Sequence, residues 1–266
     1  MLRFRLLGIP VGVHLTFLFV ALLGATAYRG IGIVMWTIAA FASILLHEMG
    51  HALTARAFDA RGVNVTLYGL GGVTTYSHGS GGMSHFRSFV VSAAGSFVGI
   101  LAGGAVWFLV RQGVFDGVSY EVAVLIDSFV FTALIWGVLN WIPIVPLDGG
   151  HMVQSLIAIW DEDRAPFIGQ VITWVAVAII VPLALVNGYQ FGAIIVVFFA
   201  LAGVREYQQQ RDAINARKEA EERAQKEAQG IIVPDEIQPA PPAPPTPPPP
   251  TQTQRPADRD EPEFPI

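Results

Sequence analysis

Six stretches of the chain are apolar enough, and near enough to 20 residues long, to cross a bilayer: 9–28, 31–56, 86–110, 122–142, 168–186 and 190–205, the last of them short. Between the second and third the period changes. Val63-Asn64-Val65-Thr66-Leu67-Tyr68 and Val73-Thr74-Thr75-Tyr76 alternate around Gly69-Leu70-Gly71-Gly72, which predicts a β-hairpin, followed by a Gly/Ser/His linker from Ser77 to Gly82. Open strand edges are not tolerated against lipid, so a hairpin here belongs at the interface or in the shelter of the spans, where its edge could pair with an extended peptide. An ordinary connecting loop is the plainer alternative. The expected fold is an all-α polytopic membrane protein of about six transmembrane helices, with a small membrane-associated β-hairpin and a disordered Pro-rich C-terminal tail.

Composition divides the chain. Residues 1–204 hold 17 of the 37 acidic and basic side chains and a net charge of −1; the last 62 residues hold 20 and a net charge of −4. The expected organisation is a membrane core over 1–204, a charged cytoplasmic helix over 205–233 and a disordered tail over 234–266, where 13 of the 18 prolines lie. The tail either docks a cytoplasmic partner or acts as a spacer. Nothing in the charge distribution suggests a nucleic-acid partner. The absence of Cys excludes disulfides and thiolate metal sites, leaving His and carboxylates as metal ligands.

On six spans, Arg3, Arg5, Arg56, Arg61, Arg87, Arg205 and Arg211 fall on one side, with Arg29 and Arg111 opposite. The positive-inside rule then places both termini and His47 toward the cytoplasm, in the inner membrane if the source is bacterial. A competing reading takes Arg3, Arg5, the following apolar stretch and Ala25-Thr26-Ala27 as a cleavable signal peptide; Pro10 and His14 interrupt that stretch.

The chemistry lies at the end of the second apolar stretch, in His47-Glu48-Met49-Gly50-His51. On a helix the two histidines fall about 40° apart around the axis, close enough to share a metal ion, with Glu48 placed to activate water. Sixteen residues from Ile31 to Leu46 put His47 roughly 24 Å into a hydrocarbon layer about 30 Å thick. A second constellation is Asn140-Trp141-Ile142-Pro143-Ile144-Val145-Pro146-Leu147-Asp148-Gly149-Gly150. Two prolines three apart cannot continue a helix and two glycines let the backbone turn freely, and non-helical backbone at membrane depth is tolerated only where it lines a protein-walled or watery cavity. Asp148 is thereby aimed into a cavity. A carboxylate there suits the third ligand of a hydrolytic zinc site, and an N-cap of a helix starting near Gly150 is the plainer role.

HExxH in one apolar span and NxxPxxPLDGG in a later one resemble the site-2 protease family of intramembrane zinc metalloproteases, over roughly residues 6–204. Val13-His14-Leu15-Thr16 and Leu70-Gly71-Gly72-Val73 resemble the branch without a PDZ domain. The resemblance implies Zn2+ held by His47, His51 and Asp148, Glu48 as catalytic acid/base, and Asn140 as a substrate-positioning group. It further implies a membrane-anchored regulatory protein with a transmembrane helix as substrate. The chain departs from the family at Ala94-Gly95-Ser96, where Ala-Gly-Pro is common, and in lacking the CBS pair of many relatives. Cleavage of a helical substrate requires local unwinding, so segments with Gly, Pro, Asn or Ser are the expected targets. The alternatives are a catalytically idle relative serving as a membrane-protein scaffold, which an intact Glu48 opposes, and a metal transporter with a chance HExxH. Among the remaining polar residues, His14 reads as a buried structural or cavity-lining histidine, Asp127 as an aqueous-pocket or interface residue, and His151 as a neighbour of the site rather than a ligand.

Overall fold

The computed structural model describes residues 1–69, 71–78 and 82–229. Leu70, part of the Gly/Ser/His linker and the Pro-rich tail lie outside the described residues. The chain divides into two units, 1–216 and 217 onward. In the second, Arg217 and Glu221 pair at 3.7 Å, one turn apart.

The N-terminus departs from the expected first span. Leu2–Leu6 (β1) and Ile9–Val13 (β2) form an antiparallel hairpin whose turn residues, Leu7 and Gly8, both have positive φ. A 3-10 turn at Leu15–Phe17 leads into a short helix, Leu18–Ala27 (α1). At about 1.5 Å per residue, 15–27 reaches roughly 20 Å, short of a hydrocarbon layer about 30 Å thick. Hydropathy averages over a window and so treated Ile9 and Val11 as lipid-facing, whereas they are core residues of a sheet, 2% and 1% exposed. His14 is likewise exposed rather than buried: it caps the 3-10 turn, its ring nitrogen meeting Thr16 Oγ1 at 2.8 Å.

The hairpin expected over 63–76 is present as Arg61–Tyr68 (β3) and Gly71–Ser77 (β4), and it belongs to a larger sheet of order β1-β2-β3-β4. β2 pairs with β3 in parallel, Val11 opposite Val65. A parallel pair needs a long crossover; here it is α1 and the helix Ile31–Ala57 (α2), which carries HExxH. β4 ends the sheet.

Four further helices meet the length and hydropathy of a membrane crossing besides α2: His85–Arg111 (α3), Tyr120–Leu139 (α4), Ala165–Val186 (α6) and Gln190–Ala228 (α7), with the shorter Asp148–Ala158 (α5) between α4 and α6. This is a multi-pass membrane architecture with a small sheet. α7 joins the expected short sixth span and the charged helix into one element of 39 residues.

The non-helical segment 140–147 stands between α4 and α5, as its prolines require. Its backbone N–H groups are satisfied by protein. Val145 N donates to Thr173 Oγ1 of α6 at 3.1 Å, and Thr173 donates onward to the Gly169 carbonyl at 3.0 Å. Gly149 N donates to the Asn140 carbonyl, closing the loop. Ile144 and Val145 are fully buried, and α7 presses on them through Gly203. Replacing Gly203 by Val is expected to lower the unfolding midpoint in detergent by several degrees, the result of overpacking by about 1–3 kcal/mol. Its Cβ would stand 2.2 Å from the Val145 carbonyl oxygen, whereas a Cβ on Gly104 meets nothing within 4 Å, so Gly104→Ala should not lower the midpoint. Equal midpoints would show that α7 does not bear on the broken segment.

Candidate metal centre and active site

α2 presents His47, Glu48 and His51, all buried, from consecutive turns of one helix. The histidine Nε2 atoms are 3.1 Å apart. Asp148, the first residue of α5, brings Oδ2 to 3.1 Å from His47 Nε2 and 3.3 Å from His51 Nε2. The N-cap of α5 is Leu147, and the Asp148 carboxylate, one residue on, faces the histidines.

The triangle fits a zinc ion. Four-coordinate zinc with bonds of about 2.0–2.1 Å sets ligand atoms about 3.3 Å apart, close to the three observed distances. Two imidazole nitrogens and a carboxylate oxygen are donors zinc favours. His51 Nδ1 lies 2.7 Å from the Val91 carbonyl oxygen, which only accepts, so Nδ1 carries the hydrogen and a neutral ring turns its lone pair at Nε2 toward the cluster. Among the described residues this is the one group of three or more His, Cys, Asp or Glu placed to share an ion.

Close approach here depends on glycine. A Cβ on Gly95 of α3 would stand 2.2 Å from His51 Nε2, and one on Gly72 of β4 would stand 2.4 Å from Glu48 Cγ. Thr74, two residues along β4 from Gly72, donates to Glu48 Oε2 at 2.7 Å. Ser96, fully buried on α3, donates to Asp148 Oδ2 at 2.9 Å.

The site opens into a cavity of about 470 Å³. One wall is β4 from Gly72 to Tyr76; another is α5, with His151, Gln154 and Ser155. Burial raises the Tyr76 phenol, keeping it a neutral hydrogen-bonding group on that wall. His151 is drawn away from the cluster, with Nδ1 3.6 Å from Glu206 Oε1.

Of the residues singled out in the sequence, the structure brings together His47, Glu48, His51 and Asp148. Asn140 is buried at the end of α4, its Nδ2 donating to the Trp136 carbonyl at 2.9 Å, and it is absent from the cavity wall. Asp127 is exposed. Thr74 and the Val91 carbonyl carry no sequence signal as partners, because nothing in spacing ties them to HExxH; Gly72 lies inside a motif that carries the resemblance, and Gly95 and Ser96 stand where the chain departs from it, with no indication there of what they touch.

No family model matches the chain. A zinc metalloprotease of Methanocaldococcus jannaschii is 26% identical over 160 residues, 58% of this chain and 44% of that protein. A Synechocystis protein provisionally named a zinc metalloprotease is 30% identical over 149 residues, 52% of this chain and 37% of that protein. The chain thus spans less than half the length of these relatives. The solved site-2 protease of Methanocaldococcus jannaschii superposes with a TM-score of 0.55 at 23% identity, covering 79% of this chain and 94% of that one. The chain has the site-2 protease fold. Within that fold the metal triangle should tolerate no side chain at position 95: Gly95→Ala is expected to retain about tenfold less transition metal than wild type after purification, read by elemental analysis. Unchanged metal content would mean that the His51 ring is not confined by α3.

Proposed function

We propose that the chain is an intramembrane zinc endopeptidase that cleaves peptide bonds within or near transmembrane segments of membrane-anchored regulatory proteins. The observation that carries this reading is the convergence of His47, His51 and Asp148 beside Glu48, in a cavity with the last strand of a sheet as one wall. The zinc metalloproteases similar in sequence and the shared fold support it.

In the proposed mechanism His47, His51 and Asp148 hold the zinc. When bound, the ion supplies a Lewis acid that polarises the scissile carbonyl and makes water nucleophilic near neutral pH. Glu48 takes the proton from the attacking water and returns one to the leaving amine. Thr74, bonded to Oε2, holds the Glu48 carboxylate in one orientation, and Gly72 leaves room for it. β4 binds the substrate as an added strand, its free edge replacing the hydrogen bonds that a helical segment gives up when it unwinds. Asn140, which ties the end of α4 to the start of α5 through its carbonyl, positions substrate by fixing that wall.

Orientation follows from charge. Arg56 closes α2 and donates from Nη1 to the Leu7 carbonyl at 2.8 Å, so the end of α2 and the β1-β2 turn meet. Arg3, Arg5, Arg61 and Arg87 belong to the sheet and the start of α3 at that same end. We place this end, and both termini, in the cytoplasm; the segment 15–27, which lies beside α2 with Trp36 donating to the Val20 carbonyl, carries the chain from the sheet back to the start of α2. The C-terminal region is then available to a cytoplasmic partner.

Two measurements test the reading. Glu48→Gln should keep zinc at wild-type occupancy and slow cleavage of a co-expressed single-span substrate by about 10²–10⁴-fold; cleavage at the wild-type rate would sink the mechanism. A fluorescent protein fused to the C-terminus of the full chain should fold and fluoresce, while a periplasmic phosphatase fused there should be inactive. The reverse pattern would overturn the orientation.

A further inference from the structure

One turn of α3 addresses two of the three ligands. Gly95 removes a side chain where the His51 ring must lie, and Ser96 adds a hydroxyl where Asp148 must be held. Ser96 is wholly buried, so its hydroxyl has no solvent to turn to, and its acceptor is Oδ2, the same oxygen that faces both histidines. Asp148 needs such a tether. It is the first residue after a non-helical segment, and the side-chain hydrogen bond that reaches its carboxylate comes from Ser96 on a different helix. A carboxylate offers two oxygens with about four lone-pair directions, so rotation of its terminal torsion would present either one, or both, to an ion.

We infer that Ser96 is a positioning residue for the metal centre: its hydroxyl selects Oδ2 as the ligand atom and holds it against the two histidines. This rests on the proposed metalloprotease reading. The tether is a single hydrogen bond from a buried hydroxyl. It links α3 to the broken segment between α4 and α5, and through Asp148 to α2. The hydroxyl donates to one lone pair of Oδ2 and leaves another for the cation, so it orients the ligand without displacing it.

The test is zinc affinity of the full-length protein in detergent, measured by competition with a chromophoric chelator. Ser96→Ala should weaken zinc binding by about 10–100-fold. Ser96→Thr, which keeps a hydroxyl, should bind close to wild type. Ser128→Ala removes an equally buried hydroxyl, on α4 with Tyr28 as its partner, and should leave zinc affinity unchanged. Wild-type affinity in Ser96→Ala overturns the assignment, as does a Ser96→Thr protein as weak as Ser96→Ala. A wild-type protein that takes up no stoichiometric zinc defeats the metalloprotease reading itself, and is thereby told apart from a failure of Ser96 alone.

Discussion

A helix can place two histidines on one face, but it cannot close a three-ligand site by itself. His47 and His51 come from α2; the third donor has to arrive from another segment at the same depth, with its carboxylate turned inward. In a bundle that faces lipid this is costly, because a segment that stops being helical frees backbone N–H and C=O groups that no water satisfies, at several kcal/mol each. The break between α4 and α5 is the constraint from which the remaining packing follows. Thr173 takes the Val145 N–H, Gly203 lets α7 lie against the Val145 carbonyl, and the Asn140 carbonyl accepts from Gly149. α6 and α7 are therefore more than extra crossings: they are the walls that make irregular backbone tolerable beside Asp148.

Much of this was legible in the chain and some of it was not, for identifiable reasons. HExxH and Pro-x-x-Pro-Leu-Asp-Gly-Gly are local patterns whose geometry is dictated by helical spacing and by residues that stop helices, so His47, His51 and Asp148 could be paired across a hundred residues. Helix ends such as those of α2 and α3 fell within two residues of expectation because hydropathy changes sharply there. The N-terminus failed for the opposite reason. Ile9, Val11 and Val13 are as apolar as lipid-facing residues, and a window average carries no information on whether apolar side chains alternate across a sheet or circle a helix. Ser96 and Thr74 were beyond reach because a hydroxyl acting on a distant carboxylate leaves no periodic trace; only the packing of α3 and β4 on α2 brings them to Asp148 and Glu48.

The N-terminal residues becoming strands instead of a crossing helix has a physical rationale once the site is considered. A peptide in helical form presents no free carbonyl to a catalytic carboxylate, since each is bonded within its own helix and covered by side chains. Unwinding it against lipid would leave several backbone groups unsatisfied, at the same cost per group as the break before α5. An apolar cavity alone offers no relief. A strand edge does, because it returns N–H and C=O partners in the regular spacing of an extended chain. β4 can serve only if it is held rigid at a fixed distance from Glu48, and a two-stranded hairpin is marginal on its own. Pairing β3 with β2, and β2 with β1, gives four strands whose buried face includes Ile9, Val11, Val65 and Leu67. The Thr74 hydroxyl then donates to the Glu48 carboxylate, with the Glu48 backbone carbonyl also within reach, so the strand proposed to receive the substrate and the group proposed to move its protons are registered to each other by one side chain. Under the proposed function, a sheet anchored in this way would set the cleavage position along an extended segment by hydrogen-bond register, and the ease of local unwinding, more than side-chain identity at the scissile bond, would distinguish one transmembrane substrate from another.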